Sequence, residues 1–95
     1  MILGIVAGTV VSSQTNVGIA GARYLLVEKC NHRAELRGEY LVALDPLGVA
    51  KGEMVMLSES TPARETPLTQ GKPIDTLIVG IVDLIDQEEQ EVYKK

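Results

Sequence analysis

Two runs of strand-forming residues, Leu41–Leu44 and Met54–Leu57, are separated by an Asp45-Pro46 pair and a loop with glycines at 48 and 52. Proline cannot donate to a ladder, so the first run stops at Asp45. A short apolar run, a turn and another short apolar run is the signature of adjacent β-strands. This pattern, repeated along the chain, limits what it can become.

The other runs follow the same grammar. Residues 2–12 read as a first strand, with Ile2, Val6 and Val10 on one face and Leu3, Ile5, Ala7 and Val11 on the other. Gly4 and Gly8 fall with the first set, as a tightly curled barrel strand would need. A polar, Gly-containing stretch at 13–21 is a loop, and a second strand covers 22–30. The third spans 37–45, the fourth 53–58 and the fifth 76–86, with a short last strand at 91–94. Between Glu59 and Lys72 the prolines at 62 and 67 and Gly71 mark a long loop with room for one short helical turn. A loop of that length in a compact domain tends to be functional or to contact something. The expectation is all-β: one domain over 1–95, a small barrel or sandwich of five or six strands.

A chain of 95 residues buries only about 60–65% of its unfolded surface, so its own stability is modest. Cys30 is the single cysteine, so no disulfide can compensate, and a reducing compartment is expected. Oligomerisation is the remaining source of stability. The fifth strand points the same way. Leu77, Val79, Ile81 and Ile85 line one face and Ile78, Val82 and Leu84 the other, where a small antiparallel barrel should have one wet face. Either a neighbouring subunit covers the second face or the loop 59–73 folds back over it.

The net charge of −4 and the absence of a basic run argue against phosphate backbones as partners. Only Tyr24, Tyr40 and Tyr93 are aromatic, too few for a base-stacking platform. Asp86, Glu88, Glu89 and Glu91 read as a solvated acidic turn. The apolar start has no positive residue before it and is too short to span a bilayer, so a cytoplasmic, membrane-free protein is expected.

No catalytic constellation assembles. His32, the one histidine, sits in a polar connection, and Cys30 beside it lacks an orienting third group. One Cys and one His fall short of a zinc site. Asp45, Asp75 and Asp83 could form a carboxylate cluster, but each also sits where aspartates cap turns and strand ends. Gly48-Val49-Ala50-Lys51-Gly52 is not a phosphate loop, because no Ser or Thr follows the lysine and a strand comes next. No enzyme activity, cofactor or metal is expected.

Taken in order, these blocks resemble the EutN/CcmL family of pentameric bacterial microcompartment shell vertex proteins. Val6-Ala7-Gly8-Thr9-Val10-Val11 looks like the family's first strand, and Gly21 with Tyr24-Leu25-Leu26-Val27 its second. Val42-Ala43-Leu44-Asp45, then Gly48 and Gly52-Glu53, then Ala63-Arg64, Asp75 and Ile81-Val82-Asp83 complete the series. Gly48-Val49-Ala50 stands where Gly-Ala-Gly is common in the family, and Pro46 and Ser58-Glu59-Ser60 also depart from its pattern.

The resemblance implies an OB-like barrel in a homopentamer that caps shell vertices beside hexameric facet proteins. It places the loop Gly48, Val49, Ala50, Lys51 and Gly52 at the five-fold axis, although a plain turn joining two strands explains the same glycines. Glu53, Arg64 and Asp75 are the candidate interface or structural residues. The competing function is an OB-like binding module for nucleic acid or oligosaccharide, which the fold alone would allow.

Overall fold

The computed structural model describes residues 1–11, 23–59 and 76–95, and among these every regular element is a strand. They are β1 (Ile2–Val10), β2 (Tyr24–Cys30), β3 (Leu36–Leu44), β4 (Met54–Glu59), β5 (Thr76–Ile81), β6 (Leu84–Gln87) and β7 (Gln90–Lys94). The first five close into a barrel in the order β1-β2-β3-β5-β4. Closure comes from a single parallel bridge, Leu44↔Leu77, between β3 and β5; the other barrel pairs are antiparallel.

The interior follows the alternation of the aliphatic runs. Val6, Leu25, Val27, Ala43, Val49, Val55, Leu57 and Ile78 form one buried cluster, with Ile2, Leu41 and Ile81 against it. Leu25, Val27, Val55, Leu57 and Ile78 have no exposed surface. Gly4 sits where a Cβ would run into Val27 Cγ1, so β1 lies closer to β2 than any side chain would allow.

Three irregularities bend the barrel's ladders. In β1 the pairing steps from Val6↔Val27 to Gly8↔Leu26, leaving Ala7 as an extra residue. That step overturns the expectation that Gly4 and Gly8 share a face. Gly4 points to the core, whereas Gly8 stands opposite Leu26 on the outer side. Between β2 and β3 the pairing jumps from Glu28↔Tyr40 to Cys30↔Leu36, so Arg37, Gly38 and Glu39 bulge out. The Glu28 carboxylate accepts the Gly38 N–H at 3.0 Å, and Gly38 adopts a φ of +72°. In β5 the pairing passes from Leu57↔Ile78 to Met56↔Gly80, which leaves Val79 unpaired.

The fifth strand is also shorter than expected. It ends at Ile81, and Val82 and Asp83 form a break. The rest of the expected strand 76–86 turns into a separate hairpin, β6-β7, whose two strands pair only with each other. Glu88 and Glu89 make its turn at φ +53° and +65°. No glycine or proline marks this break or this turn, so the apolar residues on either side read as one run. Residues 60–75, where the long loop and a short helical turn are expected and where Arg64 and Asp75 fall, lie outside the described residues.

The hairpin covers the outer side of the barrel at β1 and β4. Cys30, Met54 and Val82 are buried there, with Leu3, Ile5, Ala34, Met56, Ile85 and Tyr93 packed around them. Among the described residues, the apolar outer face of β1 is therefore covered by the chain's own terminal hairpin.

Candidate functional site

The loop between β3 and β4 is built around one carboxylate. Asp45 is 5% exposed and accepts the backbone N–H groups of Leu47 (2.9 Å), Gly48 (3.0 Å) and Val49 (2.8 Å). Its own N–H donates to the Arg23 carbonyl at 2.8 Å, and the Arg23 guanidinium stands 3.7 Å from its Oδ2. An aspartate before proline makes such turns because its short side chain reaches the amides two to four residues ahead.

The loop then plugs into the core. Val49 is fully buried, whereas Pro46, Leu47, Gly48, Ala50, Lys51 and Gly52 are exposed. The Gly52 N–H donates to the Val6 carbonyl at 2.9 Å, and the Val6 N–H to the Glu53 carbonyl at 3.0 Å, so the loop's far end is stitched to β1. Gly48 and Gly52 have φ of +79° and +90°, which side chains rarely adopt, and neither would meet a neighbour if a Cβ were added. Their conformation is thus what the plain turn requires. Glu53 is held within the chain, its Oε1 3.2 Å from Lys95 Nζ.

Among the described residues, the other sequence candidates are not brought into one site. Asp45 is committed to the loop amides, and Asp83 is exposed, with its Oδ1 4.0 Å from Lys95 Nζ. His32 Nε2 meets Gln87 Oε1 at 2.8 Å on the surface. Burial pushes the Cys30 thiol above its ordinary pKa, against a smaller opposing pull from Arg37. A thiol held protonated is a poor nucleophile. Among the described residues no group of three or more His, Cys, Asp or Glu could hold a metal ion. A shallow groove of about 470 Å³ lies beside the β3 bulge, between Ile2 and Leu3 on one side and Lys29, Arg37 and Glu39 on the other. Lys29 and Glu39 approach each other there at 3.9 Å rather than converging on a common point.

A surface that sequence reading did not single out stands on the outside of β1-β2-β3. One row runs Gly8, Leu26, Val42 and the next Ile5, Glu28, Tyr40. Val42 is 48% and Tyr40 56% exposed. β3 pairs with β2 along its length but meets β5 only at Leu44, so among the described residues its 36–43 edge is open, ending at an exposed Leu36. The alternation that would place Val42 and Tyr40 outward is legible in 41–44. The open edge is a property of the barrel's closure and has no local signal.

A small closed barrel with a clamped loop and, among its described residues, an open sheet edge defines a class of compact all-β barrel modules. The chain belongs to the EutN/CcmL family, whose model, described as ethanolamine utilisation protein EutN/carboxysome, matches residues 1–83. It is 32% identical over 95 residues to the carboxysome shell vertex protein CcmL of Gloeobacter violaceus, covering 100% of this chain and 95% of that one. It is 30% identical to the bacterial microcompartment shell vertex protein EutN of Escherichia coli, over the full length of both. The solved structure of Gloeobacter violaceus CcmL superimposes with a TM-score of 0.93 at 32% identity, over 100% of this chain and 98% of that one. The GrpN pentameric microcompartment shell protein from Rhodospirillum rubrum gives 0.82 at 34% identity, over 92% and 99%.

Proposed function

We propose that this chain is a structural subunit that assembles into homopentamers and caps the vertices of a bacterial microcompartment shell in the cytoplasm. The observation that carries the reading is its full-length likeness, in sequence and fold, to shell vertex proteins. Its surface supports it: a ring of identical subunits needs two different patches on each copy, and the open β3 edge with Val42 and Tyr40 supplies one. On this reading the chain is not an enzyme, holds no cofactor, binds no nucleic acid and meets hexameric facet proteins at its rim. The loop Gly48–Gly52 lines the five-fold axis, with Ala50 and Lys51 as its outward side chains. Arg64 and Asp75 lock the neighbouring loop or the interface, Arg64 through the fork geometry that lets a guanidinium bind carboxylates.

Native mass spectrometry at low micromolar concentration tests the assembly. The expected species is about 52 kDa, five chains of 10.3 kDa. A dominant monomer or dimer would overturn both the pentamer and the vertex role. The same preparation is expected to leave the anisotropy of a labelled oligonucleotide unchanged at physiological salt. A salt-sensitive rise would favour the OB-like binding module instead.

A further inference from the structure

We propose that the β6-β7 hairpin is a strap that lifts from the barrel while the barrel stays folded, uncovering a second apolar face at β1 and β4. The hairpin shares no ladder with the five barrel strands. None of its strand residues is buried; Ile85, Val92 and Tyr93 are half-buried and the others exposed. Its side-chain ties reach solvent: His32 to Gln87 at 2.8 Å, Arg33 to Gln87 at 3.5 Å, and, just past β7, Lys95 to Glu53 at 3.2 Å. Segments with few buried contacts and solvent-exposed hydrogen bonds are those that open below the global unfolding free energy.

The turn adds to the imbalance. Glu88 and Glu89 are consecutive non-glycine residues at positive φ, in a tight turn that asparagine and glycine would make without strain. Two-stranded hairpins are marginal in water by themselves, so lifting and melting of this one coincide. The seat beneath is unlike the strap. Met54 is fully buried, and Cys30 and Val82 are nearly so, on strands or segments tied to the barrel: the Val82 N–H donates to the Met54 carbonyl at 2.8 Å. The seat therefore keeps its shape when the strap leaves.

The three methionines make this measurable on the whole chain. Met1 is 84% exposed and Met54 0%, so dilute hydrogen peroxide, read by peptide mass spectrometry, compares a free thioether with one under the strap. In Tyr93→Ala, Met54 oxidation and exchange of the β6-β7 amides are expected to quicken at least about tenfold, with Met1 and the Leu25–Val27 and Val55–Leu57 ladder amides unchanged. Glu89→Gly acts in the opposite sense and slows hairpin exchange about two- to fivefold, because it relieves the turn. The proposal is overturned if barrel and hairpin amides change in parallel, which would make them one cooperative unit. It is equally overturned if Met54 in Tyr93→Ala oxidises no faster than in the parent chain, or if Glu89→Gly leaves hairpin exchange unchanged.

Discussion

The barrel has two apolar outer surfaces, and the chain treats them differently. Over β1 and β4, Leu3, Ile5, Met54 and Met56 lie against Ile85 and Tyr93 of the terminal hairpin. Over β2 and β3, Tyr40 and Val42 are about half exposed beside an open strand edge. The covered surface belongs to the stability of the subunit. The open one costs the isolated subunit its apolar hydration and an unpaired edge, a liability that proteins ordinarily blunt with charge, proline or a covering segment. Under the proposed assembly, a second chain is the covering segment.

The largest effect that separates the two surfaces is expected at Met54. Met54→Ala should destabilise the subunit by about 3 kcal/mol, read as a fall in the denaturation midpoint, because it empties a fully buried site. A loss under 1 kcal/mol would mean that the hairpin does not seal this face, and the contrast would dissolve.

Val42→Asp should change subunit stability by no more than about 0.5 kcal/mol, since the side chain is half in water. Its effect falls on association. Dilution followed by native mass spectrometry should show the pentamer dissociating at a protein concentration at least about tenfold higher than for the parent chain. An unchanged dissociation profile would place this face against solvent in the assembled ring.

The smallest effect concerns Cys30, at the border of the covered surface. Its thiol is held above the ordinary value of 9.0, chiefly by burial, so the folded state favours the protonated form. The corresponding stability is complete below pH 9.0 and declines as pH rises from there toward the folded-state value. Chemical denaturation should therefore show a slight loss between pH 8 and 10 that Cys30→Ala abolishes. If the two chains lose stability in step over that interval, the thiol is not sealed.

Much of the barrel was legible in the sequence because its strands are short aliphatic runs cut by recognisable turns. Asp45-Pro46 ended β3 where expected, and Asp45 proved to be a turn carboxylate rather than part of a cluster. What escaped reading lacks a local marker. The extra residue at Ala7 moved Gly8 to the opposite face, and nothing in Val6-Ala7-Gly8 announces it. The β2-β3 connection closes with Ala34 at φ +63°, a position where glycine or asparagine is the usual signal. The Asn31 side chain compensates by accepting the Arg33 and Glu35 N–H groups at 2.9 and 3.0 Å. The turn at Glu88-Glu89 has no such marker either, which is why 76–86 read as one strand. Of the loop, the glycines and Glu53 could be named from the sequence as candidates. The partners that hold the loop, Arg23 and the Val6 backbone, come from strands distant in sequence and needed the fold to bring them in.

The Asp45 clamp separates two jobs that most loops must do together. Three amides are held from below by one buried carboxylate, and Val49 anchors the loop in the core. The shape of the backbone is thereby fixed without any help from the side chains at 47, 50 and 51, which project outward. Those positions can change size or charge while the frame beneath them stays put. Such a frame lets the outward face of the loop be resized or recharged one residue at a time, with the barrel itself unaltered.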